Sequence, residues 1–199
     1  MSEPTIGTFS IIAISSKPKR MGIAVASGTK SVGDRVPHAK PGIGVIATQA
    51  YTNVAYGISG MKLMSNGLSP KETLSRLLQE DHDRELRQVA IMDFKRRKAT
   101  FTGKKVPESH AKLVRQEYVA IGNMLVRKDV VRSMAEEFKL SRGDLSWRMT
   151  RALKAGSESG GDRRGEKSAA LIIISEKEVQ IRLAVDSHET PIEELFHKL

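Results

Sequence analysis

The sequence predicts an α+β fold in which antiparallel sheets are covered by helices. Apolar, β-branched segments come in groups, and pairs of segments with helical periodicity separate these groups. No linker-like or low-complexity stretch divides the 199 residues, so we expect one domain over residues 1–199. Grouped strands and paired helices favour antiparallel sheets with helical covers over an alternating doubly wound sheet.

Three strands are predicted at the start of the chain. The runs 8–15 and 23–27 flank a turn that contains Pro and Gly, which is typical of a hairpin. A polar loop at 28–41 separates them from a third strand at 44–49. All three are almost continuously apolar, which indicates that both of their faces are covered.

Two helices follow these strands. The apolar residues Ile58, Met61 and Met64 predict a short helix. Ser69 and Glu72 then form a capping-box pattern with Pro at the first turn, which predicts the start of a second helix.

The second half of the chain repeats this order. Strands are predicted at 87–93, 99–102 and 118–121, followed by a helix along 131–138 and another that Asp144 caps.

Two further strands and a helix are predicted at the end of the sequence. The strands cover 169–174 and 181–185, on either side of a short turn at 175–178. Thr190 and Glu193 form a second capping-box pattern, which predicts a terminal helix.

The composition excludes several classes of protein. Cysteine is absent, so there is no disulfide framework, thiolate nucleophile or Cys-ligated metal. No apolar run approaches the ~18 residues of a membrane span, and residues 1–7 lack the regions of a signal peptide. We therefore expect a cytoplasmic protein with no membrane partner.

The formal charge of +10 is the extreme feature of the composition. It raises a nucleic-acid interpretation, but the basic clusters are short, and none of the nine aromatic residues is interleaved with them. A solvated basic surface is the favoured interpretation, and a small-molecule substrate or ligand is the expected partner. A homo-oligomer stays open.

Neither a metal nor a phosphate-binding cofactor is expected. The five His residues show no three- or four-residue spacing that would place two ligands on one helix face. The segment GGDRRGEKS at 160–168 resembles a phosphate loop, but it leads into a strand, whereas a phosphate loop leads into a helix.

A nucleophile is suggested at the start of the first strand. If the bond between Gly7 and Thr8 were cut, the freed α-amine of Thr8, with a pKa near ~8, would act as general base for its own hydroxyl. A Gly-Thr pair before a strand is also an ordinary strand start, and from the residues alone this second interpretation is favoured.

The sequence resembles, over nearly its whole length, the domain-of-unknown-function family "ten twenty-eight", which has an N-terminal-nucleophile (Ntn) hydrolase-like fold. The most specific matches are VPHAKPGIGVIATQAYTN at 36–53 and GGDRRGEKSAAL at 160–171. Shorter matches lie at 8–11, 24–27, 87–89, 102–103, 122–125 and 185–188. The resemblance implies a four-layer αββα sandwich of two antiparallel sheets, each covered by a helix pair.

The resemblance also implies catalytic residues. Thr8 would be the nucleophile, and Lys40 would lower the pKa of Thr8 through its nearby charge. Asp162 and Ser168 would hold the amine of Thr8. A solvated loop is the alternative interpretation of Lys40.

Further residues are implied around the substrate. Ser27 stands at the position of an acidic orienting residue but has no charge, and Gln49 and Asn53 are candidate oxyanion or substrate donors. Arg163 and Arg164 would suit a substrate carboxylate, since a guanidinium binds it in bidentate fashion. Ion pairs that hold the loop to the sheet are the favoured alternative for the two arginines.

The start of the chain departs from the family pattern. Typical members begin Met-Thr-Phe-Ser, whereas Ser2 to Gly7 stand between Met1 and Thr8 here, so residues 1–7 are an extension and a candidate propeptide. The leading hypothesis is an Ntn-type amidohydrolase for a small amide or peptide-like, anionic substrate. The alternative is a non-catalytic protein that binds a small ligand on the same scaffold.

Overall fold

The computed structural model describes residues 7–107 and 109–199, so six residues of the predicted extension lie outside the described part. The first half contains β1 (Thr8–Ser16), β2 (Lys19–Ser27), β3 (Pro37–Lys40), β4 (Gly44–Ala50), α1 (Ala55–Ser65), α2 (Pro70–Glu80), β5 (Arg87–Asp93) and β6 (Lys98–Thr102). The second half contains β7 (Ala111–Val114), β8 (Tyr118–Asn123), α3 (Asp129–Leu140), α4 (Leu145–Glu158), β9 (Ser168–Ile174), β10 (Val179–Val185) and α5 (Pro191–His197).

The strands form two antiparallel sheets. The first has six strands in the order β10-β9-β2-β1-β8-β7, and the second has four in the order β3-β4-β5-β6. Within the first sheet, Thr8 pairs with Ser27 on one side and with Asn123 on the other. The start of β1 is therefore flanked by the ends of β2 and β8.

Three apolar layers hold the elements together, because alternate residues of a strand point to opposite faces. On β1, Phe9 and Ile11 pack beneath α3 and α4, whereas Ile12 and Ile14 pack between the two sheets. A third cluster, which contains Ile46, lies between the four-stranded sheet and the helices α1 and α2. The predicted four-layer αββα sandwich is confirmed, with α5 as an added helix beside α4.

The assignment of 28–41 as loop is wrong at its end, where β3 forms, and β7 was not predicted. Both strands have four residues and lie at a sheet edge. β3 begins with Pro37 and ends with the exposed Lys40, and β7 alternates between half-buried and exposed residues. Short, charged edge strands carry little of the apolar pattern that reveals a buried strand.

The predicted caps have different outcomes. The capping box of α2 is present, with the Ser69 hydroxyl accepting from the Glu72 amide and the Glu72 carboxylate accepting from the Ser69 amide. Asp144 is the N-cap residue of α4, but its side chain makes no capping bond. The second capping box is wrong, because the Thr190 hydroxyl lies 3.2 Å from Nδ1 of His188 instead.

Candidate active site

One end of the space between the sheets is polar. The inward-facing residues near this end are Thr8, Ser10, Ser27, Gln49, Gln88, Asn123 and Ser168, and all seven are fully buried. Further along the same strands the inward positions are apolar, with Ile12 on β1 and Val25 on β2 as examples. We call these seven residues the polar end. It places the side chains of six strands around Thr8.

The carbonyl oxygen of Gly7 is the focus of this region. It accepts a hydrogen bond from the Thr8 hydroxyl at 2.5 Å and one from the Ser27 hydroxyl at 2.6 Å. Nη2 of Arg164 donates a third at 3.0 Å. Three donors, one of them charged, therefore polarise the carbonyl of the bond between Gly7 and Thr8.

A buried amide network holds the backbone on either side of that bond. Oδ1 of Asn123 accepts from the Gly7 amide at 2.9 Å, and Nε2 of Gln49 donates to the Thr8 carbonyl at 3.1 Å. Oε1 of Gln88 accepts from both Nε2 of Gln49 at 2.8 Å and Nδ2 of Asn123 at 3.1 Å. Gln88 thus fixes the two side chains that hold Gly7 and Thr8.

The loop before β9 supplies the charged part of the site. The Asp162 carboxylate is buried and accepts from the amide of Gly28 at 2.7 Å and from that of Arg164 at 2.9 Å. It also pairs with the Arg164 guanidinium, whose Nη2 lies 2.9 Å away. Because Asp162 fixes the guanidinium, Arg164 is held on the Gly7 carbonyl.

Ser168 and Asp162 connect loops and do not hold Thr8. The Ser168 hydroxyl donates to the carbonyl of Thr29 at 2.5 Å and accepts from the amide of Val32 at 3.1 Å. Within residues 7–107 and 109–199 no hydrogen bond joins Thr8 to either residue. The uncut chain has no free amine at Thr8, so the expected hold of these two residues on that amine stays a prediction.

Lys40 is not brought to Thr8. It pairs with Gly44 at the start of β4, whereas Gln49 stands near the opposite end of that strand. Its ammonium donates to the hydroxyl of Ser65 at 2.9 Å and is exposed. The register of β3 on β4 is the reason, because it directs the lysine to the far end of the sandwich.

Asn53 and Arg163 also lie apart from the Gly7 carbonyl. Oδ1 of Asn53 accepts from the amide of Ala55 at the start of α1. Arg163 is exposed, and its Nη2 donates to the Ser109 hydroxyl at 3.3 Å. Of the two arginines, only Arg164 reaches the bond before Thr8.

Gln88 and Asn123 were not predicted as site residues. Both lie in segments that carry the family resemblance, and both stand at or near one end of a strand whose middle is apolar. An amide at the end of a buried strand was a usable signal, since it has to find a hydrogen-bond partner.

Metal binding has no support in the described part of the chain. No group of three or more His, Asp or Glu side chains is placed to hold a metal ion there. Likewise, none of the described helices has the length and apolar character to cross a membrane.

Comparison with known proteins identifies the family. The sequence model of the "Family of unknown function (DUF1028)" matches residues 8–195. The chain belongs to this family. A crystal structure of a DUF1028 protein from Silicibacter pomeroyi is 28% identical, with a TM-score of 0.90 over 96% of this chain and 87% of that one.

A more distant structure is also similar in part. It is Anbu (ancestral beta-subunit) from Yersinia bercovieri, with 13% identity and a TM-score of 0.47 over 96% of this chain and 92% of that one. No curated protein matches the chain.

Proposed function

We propose that this DUF1028 protein is an Ntn-type amidohydrolase that cuts its own Gly7–Thr8 bond and then uses Thr8 on a small amide. The observation that carries the proposal is the Gly7 carbonyl, which accepts from Thr8, Ser27 and Arg164 at once. The Thr8 hydroxyl is thereby held beside the carbonyl as the nucleophile, and the donors Ser27 and Arg164 are placed to stabilise the negative charge that develops on the oxygen when it attacks.

Self-cleavage would begin with the Thr8 hydroxyl. Its oxygen attacks the Gly7 carbonyl carbon while its proton passes to the Ser27 hydroxyl, 3.0 Å away, and Ser27 passes its own proton to the developing oxyanion on Gly7. The C–N bond then breaks as the ester carbonyl forms, and the nitrogen takes up the proton that the Thr8 hydroxyl gave up and becomes the amine of Thr8. Water hydrolyses the resulting ester, which releases Gly7 as a carboxylate and returns the hydroxyl of Thr8.

The mature site would act on an external amide by the same chemistry. The α-amine, with a pKa near ~8, accepts the hydroxyl proton as Thr8 attacks, and then donates a proton to the leaving amine. Ser27 and Arg164, released from Gly7, are available to the substrate carbonyl. Water completes the cycle by hydrolysing the acyl ester.

The binding alternative has two observations in its favour. In the uncut chain the side chain of Thr8 is fully buried, and its neighbour Ser27 is neutral where an acidic residue was expected. A chain that is never cut has no α-amine at Thr8, and it would serve only to bind a ligand.

Intact-mass analysis of the full chain purified from its own host tests the proposal. We expect the loss of Met1 to Gly7 in the wild type and in Thr8→Ser, and an intact extension in Thr8→Ala. Thr100→Ala, on a strand of the other sheet, is the matched control and should be cut normally. An uncut wild type would contradict the amidohydrolase and support the binding alternative.

A further inference from the structure

A cationic pocket lies next to the polar end. It measures about 540 Å³ and is lined by Gly28, Thr29, Lys30, Arg35, Arg164 and Lys167. Four of these six residues are cationic, and no acidic residue of the described chain is among them. The volume falls within the usual range for small-molecule sites, about 300–1,000 Å³.

The sheet register explains why the cations gather there. β2 and β9 are antiparallel neighbours, so the residues after Ser27 and those before Ser168 meet at one edge. The Lys167 amide donates to the carbonyl of Ser27 at 2.7 Å, which ties the two loops together. Lys30 from one loop and Lys167 from the other thus line the same cavity.

The charges of this pocket are only partly neutralised. Among the cationic side chains, Arg164 forms an ion pair with the Asp162 carboxylate. Lys30 and Lys167 are exposed, and within residues 7–107 and 109–199 their side chains make no ion pair. The Arg35 guanidinium donates to the carbonyl of Lys30 at 3.0 Å, which holds the arginine beside this lysine.

Two connections join the pocket to the bond before Thr8. Arg164 lines the cavity and also donates to the Gly7 carbonyl at 3.0 Å. The hydroxyls of Thr8, Ser27 and Thr29 form a chain with steps of 3.0 Å, and Thr29 lines the cavity as well. A group bound in the pocket is therefore close to the carbonyl that would react.

We infer that this pocket binds a compact anionic group, a carboxylate or a phosphate, and that the amide substrate carries such a group. The assignment of the substrate rests on the proposed amidohydrolase function, whereas the binding of an anion in this pocket does not depend on it. Lys30 and Lys167 would attract the anion, while Arg164 keeps its place on the carbonyl.

Calorimetric titration of succinate and of inorganic phosphate tests the binding site. The full-length Thr8→Ala chain is titrated alongside the wild type, so the result does not depend on cleavage. We expect saturable binding that weakens about tenfold in the double variant Lys30→Gln/Lys167→Gln, a loss of ~1.4 kcal/mol. Binding should also weaken as salt rises, because exposed charges are screened.

The control is Lys62→Gln/Lys71→Gln, which removes the same charge from exposed positions on α1 and α2. It should bind like its parent. Tighter binding of succinate would show that the pocket prefers a carboxylate, and tighter binding of inorganic phosphate would show that it prefers a phosphate group. Unchanged affinity in Lys30→Gln/Lys167→Gln, or an equal loss of affinity in the control, would contradict anion binding in this pocket.

The substrate part is tested separately on mature, cleaved enzyme. Two substrates are compared: an amide that carries the preferred anionic group, and its neutral analogue. Lys30→Gln/Lys167→Gln should lower kcat/KM about tenfold for the anionic amide and leave it unchanged for the neutral one. Equal loss for both amides would overturn the substrate assignment. An uncut, inactive wild type that still binds the anion would overturn the amidohydrolase and leave the pocket standing.

Discussion

At one end of the space between the sheets the strands present hydroxyls and amides, whereas a few residues further along the same strands present Ile, Val and Met. The apolar part gains stability simply by excluding water from its side chains. The polar end is equally dry, so each of its groups needs a hydrogen-bond partner. Those partners include the backbone of Gly7 and Thr8. The difference indicates that one part stabilises the fold and the other positions a single peptide bond.

The largest effect on stability is expected in the apolar part. Ile12→Ala removes a fully buried side chain between the sheets, and we expect a loss of about 2–5 kcal/mol in the free energy of unfolding. Denaturation in urea measures it. Ile58→Ala, at a side chain that is 67% exposed, is the control and should change little.

The same variant also tests whether the apolar part stabilises the fold without affecting cleavage at the polar end. Ile12→Ala should cut the Gly7–Thr8 bond at the wild-type rate wherever it is folded, because Ile12 makes no contribution to the Gly7 carbonyl. A slow cleavage by folded Ile12→Ala would break the distinction between the two parts.

At the polar end, Gln88→Leu is expected to affect stability and cleavage together. It removes the acceptor shared by Gln49 and Asn123 and leaves two buried donors unpaired. At about 1–3 kcal/mol for each donor, less what relaxation recovers, we expect a loss of about 2–4 kcal/mol. Because Asn123 would no longer be fixed on the Gly7 amide, cleavage should slow at least about tenfold.

Gln180→Leu is the matched control for this substitution, since Gln180 is exposed on β10. It should leave both stability and cleavage close to wild type. If Gln88→Leu proved as stable as Gln180→Leu, the amide network would have no energetic role in the fold.

The layers of the fold could be predicted from the sequence, but the partners at the site could not. Apolar runs such as 8–15 and the capping box at Ser69 are local signals, and the structure confirms them. The position of Lys40 depends instead on the hairpin that β3 forms with β4, which places Lys40 opposite Gly44. β3 has only four residues and little apolar periodicity, so the sequence pattern did not indicate this pairing.

The hydrogen bonds of the polar end could not be predicted from the sequence, because their partners are far apart along the chain. Asn123 and Gly7 are 116 residues apart in sequence, and they meet only because β8 pairs with β1. The resemblance to a known family indicated Thr8, Ser27 and Gln49, all of which lie at the polar end. It did not indicate Gln88, whose importance lies in the two side chains that it holds.

Ser27→Ala tests the part of the polar end that contacts the Gly7 carbonyl. It removes a neutral donor to the Gly7 carbonyl, and we expect cleavage to slow about 10²-fold, or ~2.7 kcal/mol in the barrier. Ser146→Ala is the matched control, because Ser146 is a buried serine on α4 outside the polar end. Mass spectrometry over time gives both rates. Equal slowing of the two variants would mean that Ser27 acts only through packing.

The smallest effect, and one that should depend on pH, is expected at an exposed helix cap. Ser69→Ala removes the N-cap of α2, for which we expect a loss of about 1 kcal/mol at pH 6. Hydrogen bonds from the Ser69 hydroxyl and amide lower the pKa of Glu72. A lowered pKa stabilises the fold fully above the usual Glu value, near ~4.3, and this contribution is lost as the pH falls through the folded value.

The difference between wild type and Ser69→Ala should therefore shrink between pH 6 and pH 3, as urea denaturation at several pH values would measure. The penalty of Gln88→Leu should stay constant over the same range, because the hydroxyls and amides of the polar end do not titrate there. A penalty for Gln88→Leu that followed the pH would require a charged group in contact with the polar end.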